Sequence, residues 1–245
     1  MVMDHTTSTG EQTPRKQAVR IQTSILNRAE KKALVWLAKR QPSWVTSDML
    51  TMVGVVGAVL TGLGFALTML SPAYLWLASA GLVVNWYGDS LDGTLARVRD
   101  TQRPLYGYYL DHNTDMLCQL AVFFGVGLSP WMHLSVAMLV MVAYLMLEVY
   151  VAINAHLKSE FKLTYAKLGP TELRLAIILV NAVIFFSPAL QAIATPLTLF
   201  GKEVVLHVLD YVGIVLFVVM FLMYLVSFIN DARYFAKLDP LKKHN

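Results

Sequence analysis

Six apolar stretches dominate this chain of 245 residues, and each is about 20 residues long. A helix needs about 20 consecutive apolar residues to cross the hydrocarbon layer of a bilayer. Hydrophobic residues make up 56% of the sequence and charged residues only 15%, a balance too apolar for a soluble domain. The sequence therefore predicts an all-α, polytopic membrane protein with six transmembrane helices. We place these spans near 49–70, 73–95, 108–128, 131–154, 172–193 and 204–230.

The basic residues are distributed very unevenly over the segments between these spans. If the N-terminus is on the inner side, every Lys and Arg except Lys202 falls on that side. Cytoplasmic segments carry the excess of Lys and Arg, so both termini are predicted to be cytoplasmic, in the cell inner membrane if the source is bacterial. The net charge of +4 then reflects topology and contact with anionic lipid headgroups, and we expect no nucleic-acid partner.

The ends of the chain lie outside the predicted spans. Residues 1–14 are polar and Thr-rich, which predicts a disordered tail. Residues 15–45 are predicted to contain an amphipathic helix on the cytoplasmic membrane surface. The six-span membrane domain would cover 46–235, followed by a cytoplasmic tail over 236–245. The apolar side of the amphipathic helix is expected to carry Ile25, Ala29, Ala33, Trp36 and Leu37.

Four carboxylates are concentrated between the second and third predicted spans. Asp89 and Asp92 are spaced i, i+3, and Asp111 and Asp115 are spaced i, i+4, so each pair shares one face of a helix. Like charges at the edge of a hydrocarbon layer are costly unless cations neutralise them. Hard carboxylate oxygens suit Mg²⁺ or Mn²⁺ and disfavour zinc. The pattern predicts two such ions, arranged as a clamp for phosphoryl-group displacement.

The same segment resembles the signature of the CDP-alcohol phosphotransferases, Asp-x2-Asp-Gly-x2-Ala-Arg-xn-Gly-x3-Asp-x3-Asp. Every fixed position is matched, by Asp89, Asp92, Gly93, Ala96, Arg97, Gly107, Asp111 and Asp115. The resemblance implies transfer of a phospho-alcohol from a CDP-alcohol donor to the hydroxyl of an acceptor, with release of CMP. It also makes Asp89, Asp92 and Asp111 metal ligands, and Asp115 both a ligand and the general base.

The resemblance assigns further residues to the two substrates. Gly93, Ala96, Arg97 and Gly107 would line the cytidine nucleotide. The acceptor-pocket candidates follow the fourth predicted span and are Lys167, Glu172 and Arg174. Glu172 also fits a plain helix start, because an acidic residue is favourable near the N-terminus of a helix. We further expect contacts with membrane lipids and a homodimer.

Two substrate arrangements and three other functions remain open at this stage. In the first arrangement, CDP-diacylglycerol is the donor and a small polar alcohol is the acceptor. In the second, a small CDP-headgroup is the donor and a lipid alcohol is the acceptor. Intramembrane carboxylates also mark transporters, although these tend to lie near the bilayer midplane. A scaffold that kept the fold is a further alternative. Membrane prenyltransferases also use Asp-rich motifs with Mg²⁺, but those motifs usually recur on a second helix pair, and none is seen in this sequence.

Overall fold

The computed structural model describes residues 19–21, 27–158, 160–162, 169–199 and 201–241, and within these it is mostly helical. This confirms the predicted helical character of the chain. Eight helices lie in the described part: α1 (Asn27–Arg40), α2 (Ser47–Leu67), α3 (Tyr74–Val98), α4 (Pro104–Gly127), α5 (Leu134–Lys158), α6 (Pro170–Phe186), α7 (Pro188–Gln191) and α8 (Val208–Leu238).

Three of the described helices are long and apolar enough to cross a membrane by length and composition. They are α2, α5 over Leu134–Leu157, and α8. The chain is therefore a membrane-embedded protein, as predicted. The helices α3 and α4 coincide with the second and third predicted spans and are 25 and 24 residues long, but they carry the four aspartates. The count of six spans stays a prediction.

The fifth and sixth predicted spans differ from the helices at the ends that meet between them, over residues 187–207. Helix α6 ends at Phe186, and the proline at 188 starts the short α7, since proline cannot continue a helix. Residues Ala194–Leu199 (β3) and Lys202–His207 (β4) then form an antiparallel hairpin. Gly201 lies in its turn with a φ of 77°, a left-handed conformation that glycine adopts freely. Helix α8 consequently begins at Val208 rather than near 204.

A second pair of short strands was also missed by the all-α prediction. Val19–Ile21 (β1) pairs in parallel with Glu160–Lys162 (β2), in register from Val19 opposite Glu160 to Ile21 opposite Lys162. Each strand has three residues, too few to show the alternation that identifies a strand in a sequence. The pairing joins the segment before α1 to the segment between α5 and α6.

Glycines allow α2 to lie very close to α3 and α4. A Cβ added at Gly57 would lie 2.7 Å from the Asn85 Cα, and one at Gly125 of α4 would overlap the backbone of Gly62. The Asn85 side chain donates to the Gly54 carbonyl at 2.9 Å, which satisfies a buried amide at the same contact. Small residues permit such close helix approach in membrane proteins. Helix α2 thus lies in close backbone contact with both α3 and α4.

Helix α1 packs against α3 through a face that the sequence did not identify. Leu34 and Ala38 are buried in a cluster completed by Val45, Leu50, Leu91 and Leu95. On the predicted apolar side, Ala29, Ala33 and Trp36 are exposed and Leu37 is half-buried, while Ile25 lies outside the described residues. The buried face is therefore centred on Leu34 and Ala38, because α3 supplies a packing partner that periodicity alone does not reveal. The interfacial placement of α1 stays a prediction.

Candidate active site

Three of the four predicted metal ligands meet in the structure. Asp89 on α3 and Asp111 and Asp115 on α4 each offer a carboxylate oxygen, and these oxygens lie within 4.8 Å of one another. All three side chains are half-buried. The i, i+4 spacing turns Asp111 and Asp115 to one face of α4. Gly54 of α2 lets the backbone of Asp89 come close, since a Cβ added there would lie only 3.2 Å from the Asp89 backbone nitrogen.

Asp92 is directed toward α2 instead of toward these three carboxylates. Its Oδ2 accepts a hydrogen bond from the Thr51 hydroxyl at 2.6 Å, and its Oδ1 accepts from the Gly93 N–H. The Ser47 hydroxyl also donates to the Asp92 carbonyl at 2.9 Å. Thr51 and Ser47 were missed by the sequence analysis, because only the fold brings the first turns of α2 beside the end of α3. The ligand role of Asp92 stays a prediction.

Arg174, predicted to line an acceptor pocket, lies directly against the carboxylate cluster. Its Nη2 donates to Asp89 Oδ2 at 2.6 Å, and the two side chains are only 16% and 25% exposed. A charge-assisted bond of this length is among the stronger hydrogen bonds in proteins. Arg174 therefore neutralises part of the negative charge that the three aspartates gather at one place.

Gly93 and Arg97 follow Asp89 on α3, about one and two turns further along the helix. A Cβ added at Gly93 would be 3.4 Å from Arg97 Nη1, so glycine leaves space beside the guanidinium. Arg97 is exposed and donates to the Thr94 hydroxyl at 3.0 Å, while Ala96 is half-buried. Among the described residues, nothing lies within 4 Å of a Cβ added at Gly107, so the fold itself gives no steric reason for a glycine there.

The other two acceptor-pocket candidates are Glu172, in the first turn of α6, and Lys167. The Glu172 carboxylate accepts a hydrogen bond from the Gly169 N–H at 3.0 Å, which closes the first turn of α6. This contact fits the helix-start interpretation of Glu172. Lys167 lies outside the described residues. Their participation in an acceptor pocket stays a prediction.

A cavity of about 420 Å³ between α4 and α5 opens beside this site. His112 and Met116 line its α4 wall on either side of Asp115 in the sequence. The α5 wall is mostly apolar and includes Glu148, whose Oε1 accepts a hydrogen bond from Gln119 at 2.6 Å. Such a cavity suits an amphiphile that has a long apolar part and a polar end. The sequence did not reveal it, because no motif places α5 against α4.

The donor set fits a divalent metal ion. Three carboxylates from two helices supply hard oxygen ligands, which Mg²⁺ and Mn²⁺ prefer. Removing solvent from three like charges is unfavourable without a cation, and the ion pair from Arg174 to Asp89 brings one positive charge to a group of three carboxylates. The identity and number of the ions stay predictions.

Comparison with known proteins places the site in a family. The family model described as CDP-alcohol phosphatidyltransferase matches residues 44–233, which include every residue of the carboxylate cluster. The phosphatidylinositol phosphate synthase of Cutibacterium acnes is 34% identical over 84 residues. That alignment covers 34% of this chain and 38% of the relative, so it spans well under half of either protein. Because the family model covers most of the sequence, the chain belongs to the CDP-alcohol phosphatidyltransferase family, a family of phosphotransferase enzymes.

Proposed function

We propose that this protein transfers a phospho-alcohol group from a CDP-alcohol to a hydroxyl acceptor in phospholipid biosynthesis, with release of CMP and in dependence on divalent metal. The observation that carries the proposal is the convergence of Asp89, Asp111 and Asp115 within 4.8 Å, inside the region matched by the family. Membership in a family of phosphotransferase enzymes supports an enzyme over the transporter and scaffold alternatives.

The four aspartates would hold two Mg²⁺ or Mn²⁺ ions. When bound, the ions would neutralise the pyrophosphate of the donor and the charge that develops on the leaving CMP. Asp92 would join the other three as a ligand from its position beside Thr51. Arg97 would pair with a phosphate oxygen through its planar guanidinium, and the glycine at 93 would allow the nucleotide to approach.

Asp115 would act as the general base as well as a partial ligand. The acceptor oxygen attacks the phosphorus that carries the alcohol group, and the bond from that phosphorus to the oxygen of CMP breaks. CMP leaves with the electron pair, and the hydroxyl proton moves to the Asp115 carboxylate. This role is supported by the place of Asp115 in the carboxylate cluster and next to residues that line the 420 Å³ cavity.

Of the two substrate arrangements, we favour CDP-diacylglycerol as the donor and a phosphorylated polyol as the acceptor. Arg174, at 2.6 Å from Asp89, would place a cation where an acceptor phosphate could bind. The relative described as a phosphatidylinositol phosphate synthase supports the same arrangement. The reverse arrangement, a CDP-headgroup with a lipid alcohol, is favoured by the cavity lined by His112, which could admit a lipid hydroxyl. Lys167 and Glu172 would complete the acceptor pocket.

We further propose the six-span topology with both termini and the site on the cytoplasmic side. At a rise of 1.5 Å per residue, α3 and α4 are about 36–38 Å long, enough to cross the hydrocarbon layer despite their charged inner ends. Helix α1 would lie at the membrane surface as part of the segment 15–45, with a membrane domain over 46–235, tails at 1–14 and 236–245, and a homodimer as the assembly.

The deciding experiment measures CMP release by the purified protein in lipid vesicles. CDP-diacylglycerol with inositol phosphate or glycerol phosphate is tested against CDP-choline with diacylglycerol. We expect release with the first pairing, and loss of release in the variant Asp111→Asn. CMP release from the second pairing alone would reverse the assignment of donor and acceptor. Absence of release with every pairing, in folded protein supplied with Mg²⁺ or Mn²⁺, would contradict the proposed function.

A further inference from the structure

Glu30 of α1 joins three helices through one carboxylate oxygen. Its Oε1 accepts a hydrogen bond from the Trp86 indole N–H of α3 at 2.9 Å. The same oxygen accepts from the Thr171 hydroxyl of α6 at 2.5 Å. Glu30 is half-buried, as are both of its partners. A side-chain carbonyl or carboxylate oxygen has two lone pairs, so this one oxygen can accept both hydrogen bonds.

The two partners of Glu30 lie next to the active site along their helices. Trp86 precedes Asp89 by three residues on α3, and Thr171 precedes Arg174 by three residues on α6. Residues three apart in a helix share a face. The Glu30 bridge and the pair between Arg174 and Asp89 therefore connect the same two helices at neighbouring positions.

Two further contacts fix α1 to this part of the protein. At its N-terminal side, β1 pairs with β2 in the segment that leads to α6. At its C-terminal side, the Arg99 guanidinium of the loop after α3 donates to the carbonyls of Gln41 and Pro42, at 3.0 and 2.7 Å. Contacts therefore hold α1 to the rest of the protein at three places: the segment before the helix, the helix itself and the segment after it. A helix that only tethers the chain to lipid would not need these contacts.

We propose that Glu30 is a positioning residue, which holds the first turn of α6 so that Arg174 reaches the carboxylate cluster. The inference rests on the proposed function, because it assigns Arg174 to the same reaction. The hydrogen bonds described for Glu30 go to Trp86 and Thr171, so it would act through Thr171 and the start of α6. The amphipathic segment would then position an active-site residue, Arg174, in addition to contacting lipid.

Two variants of Glu30 and one control separate this role from a general loss of structure. Glu30→Ala removes the acceptor of both hydrogen bonds. Glu30→Gln keeps a side-chain carbonyl oxygen that can accept them. The control is Tyr87→Phe, which removes the hydrogen bond from Gln41 to the Tyr87 hydroxyl at 2.6 Å and so loosens α1 from α3 without touching α6.

The first measurement is hydrogen exchange of the backbone amides of residues 173–177, in the protein without substrates. In Glu30→Ala we expect exchange to become at least about tenfold faster, because local opening of the first turn of α6 loses its restraint. Glu30→Gln and Tyr87→Phe should match the wild type in this segment. Unchanged exchange in Glu30→Ala would overturn the proposal, whatever the protein catalyses.

The second measurement is kinetic and uses CDP-diacylglycerol and inositol phosphate. Glu30→Ala should raise the KM of the acceptor about tenfold and change the KM of the donor less than about twofold, with Glu30→Gln near the wild type. In an Arg174→Lys background, Glu30→Ala should add less than about twofold, since coupled residues are not additive. Full additivity, or an equal rise in both KM values, would show that Glu30 does not act through Arg174. If the wild type released no CMP, the proposed function would fail while the exchange result still decided the role of Glu30.

Discussion

Replacement of Asp115 by asparagine separates proton transfer from metal binding. Asp115 lies within 4.8 Å of Asp89 and Asp111 through its carboxylate oxygens, so the variant lowers the charge of the cluster from three carboxylates to two. Asparagine keeps the size of the side chain and one oxygen, but it cannot accept the proton of the acceptor hydroxyl. Turnover should therefore fall while the donor still binds.

The expected loss follows from the role of a general base. Loss of such a group typically lowers turnover about 10²–10⁴-fold. This range corresponds to about 3–5 kcal/mol of activation free energy. Asp89, Asp111 and Asp92 stay in place, so at saturating Mn²⁺ the affinity for the CDP-alcohol should fall by less than about tenfold.

Two other variants serve as comparisons for Asp115→Asn. Asp92→Asn should weaken donor binding, because Asp92 is proposed to act only as a ligand. Asp48→Asn is the matched control: it removes a carboxylate from the first turn of α2, outside the cluster, and should leave turnover unchanged. CMP release gives turnover, and calorimetric titration with the CDP-alcohol gives affinity. The reasoning fails if Asp115→Asn keeps its turnover, or if it loses donor binding as completely as Asp92→Asn does.

Three shorter predictions concern metal, topology and nucleotide binding. Activity should vanish in excess chelator and return with Mg²⁺ or Mn²⁺, and full activity in chelator would exclude the proposed metal site. In a Cys118→Ala background, a cysteine at Lys202 and one at Lys242 should react with an impermeant thiol reagent from opposite sides of a sealed vesicle, and reaction from one side would contradict six spans. Arg97→Lys should lower kcat/KM at least about tenfold because an ammonium lacks the planar fork, whereas near-normal kinetics would make Arg97 a topology charge.

The parts of the fold that sequence could predict depend on interactions within one segment. Length and hydropathy located α2, α5 and α8, because a membrane-spanning helix needs a long apolar run. The hairpin between α7 and α8 was missed because its strands, six residues each, lie in a region of mixed composition with no clear alternation. The buried face of α1 was missed for a different reason, since Leu34 and Ala38 are buried only because α3 lies against them.

In the candidate site, too, the features within one helix could be predicted from the sequence and the contacts between helices could not. The i, i+4 spacing within α4 made it predictable that Asp111 and Asp115 share a face, and the motif added Asp89 from α3. Spacing could not predict the bond from Arg174 to Asp89, which joins residues 85 positions apart, or the turn of Asp92 toward Thr51, 41 positions away. Both contacts depend on how α2 and α6 pack against α3, and glycines in α2 allow its close approach to α3. A motif therefore specifies which carboxylates can share a cation, while packing between distant helices determines which of them contacts an arginine and which a hydroxyl.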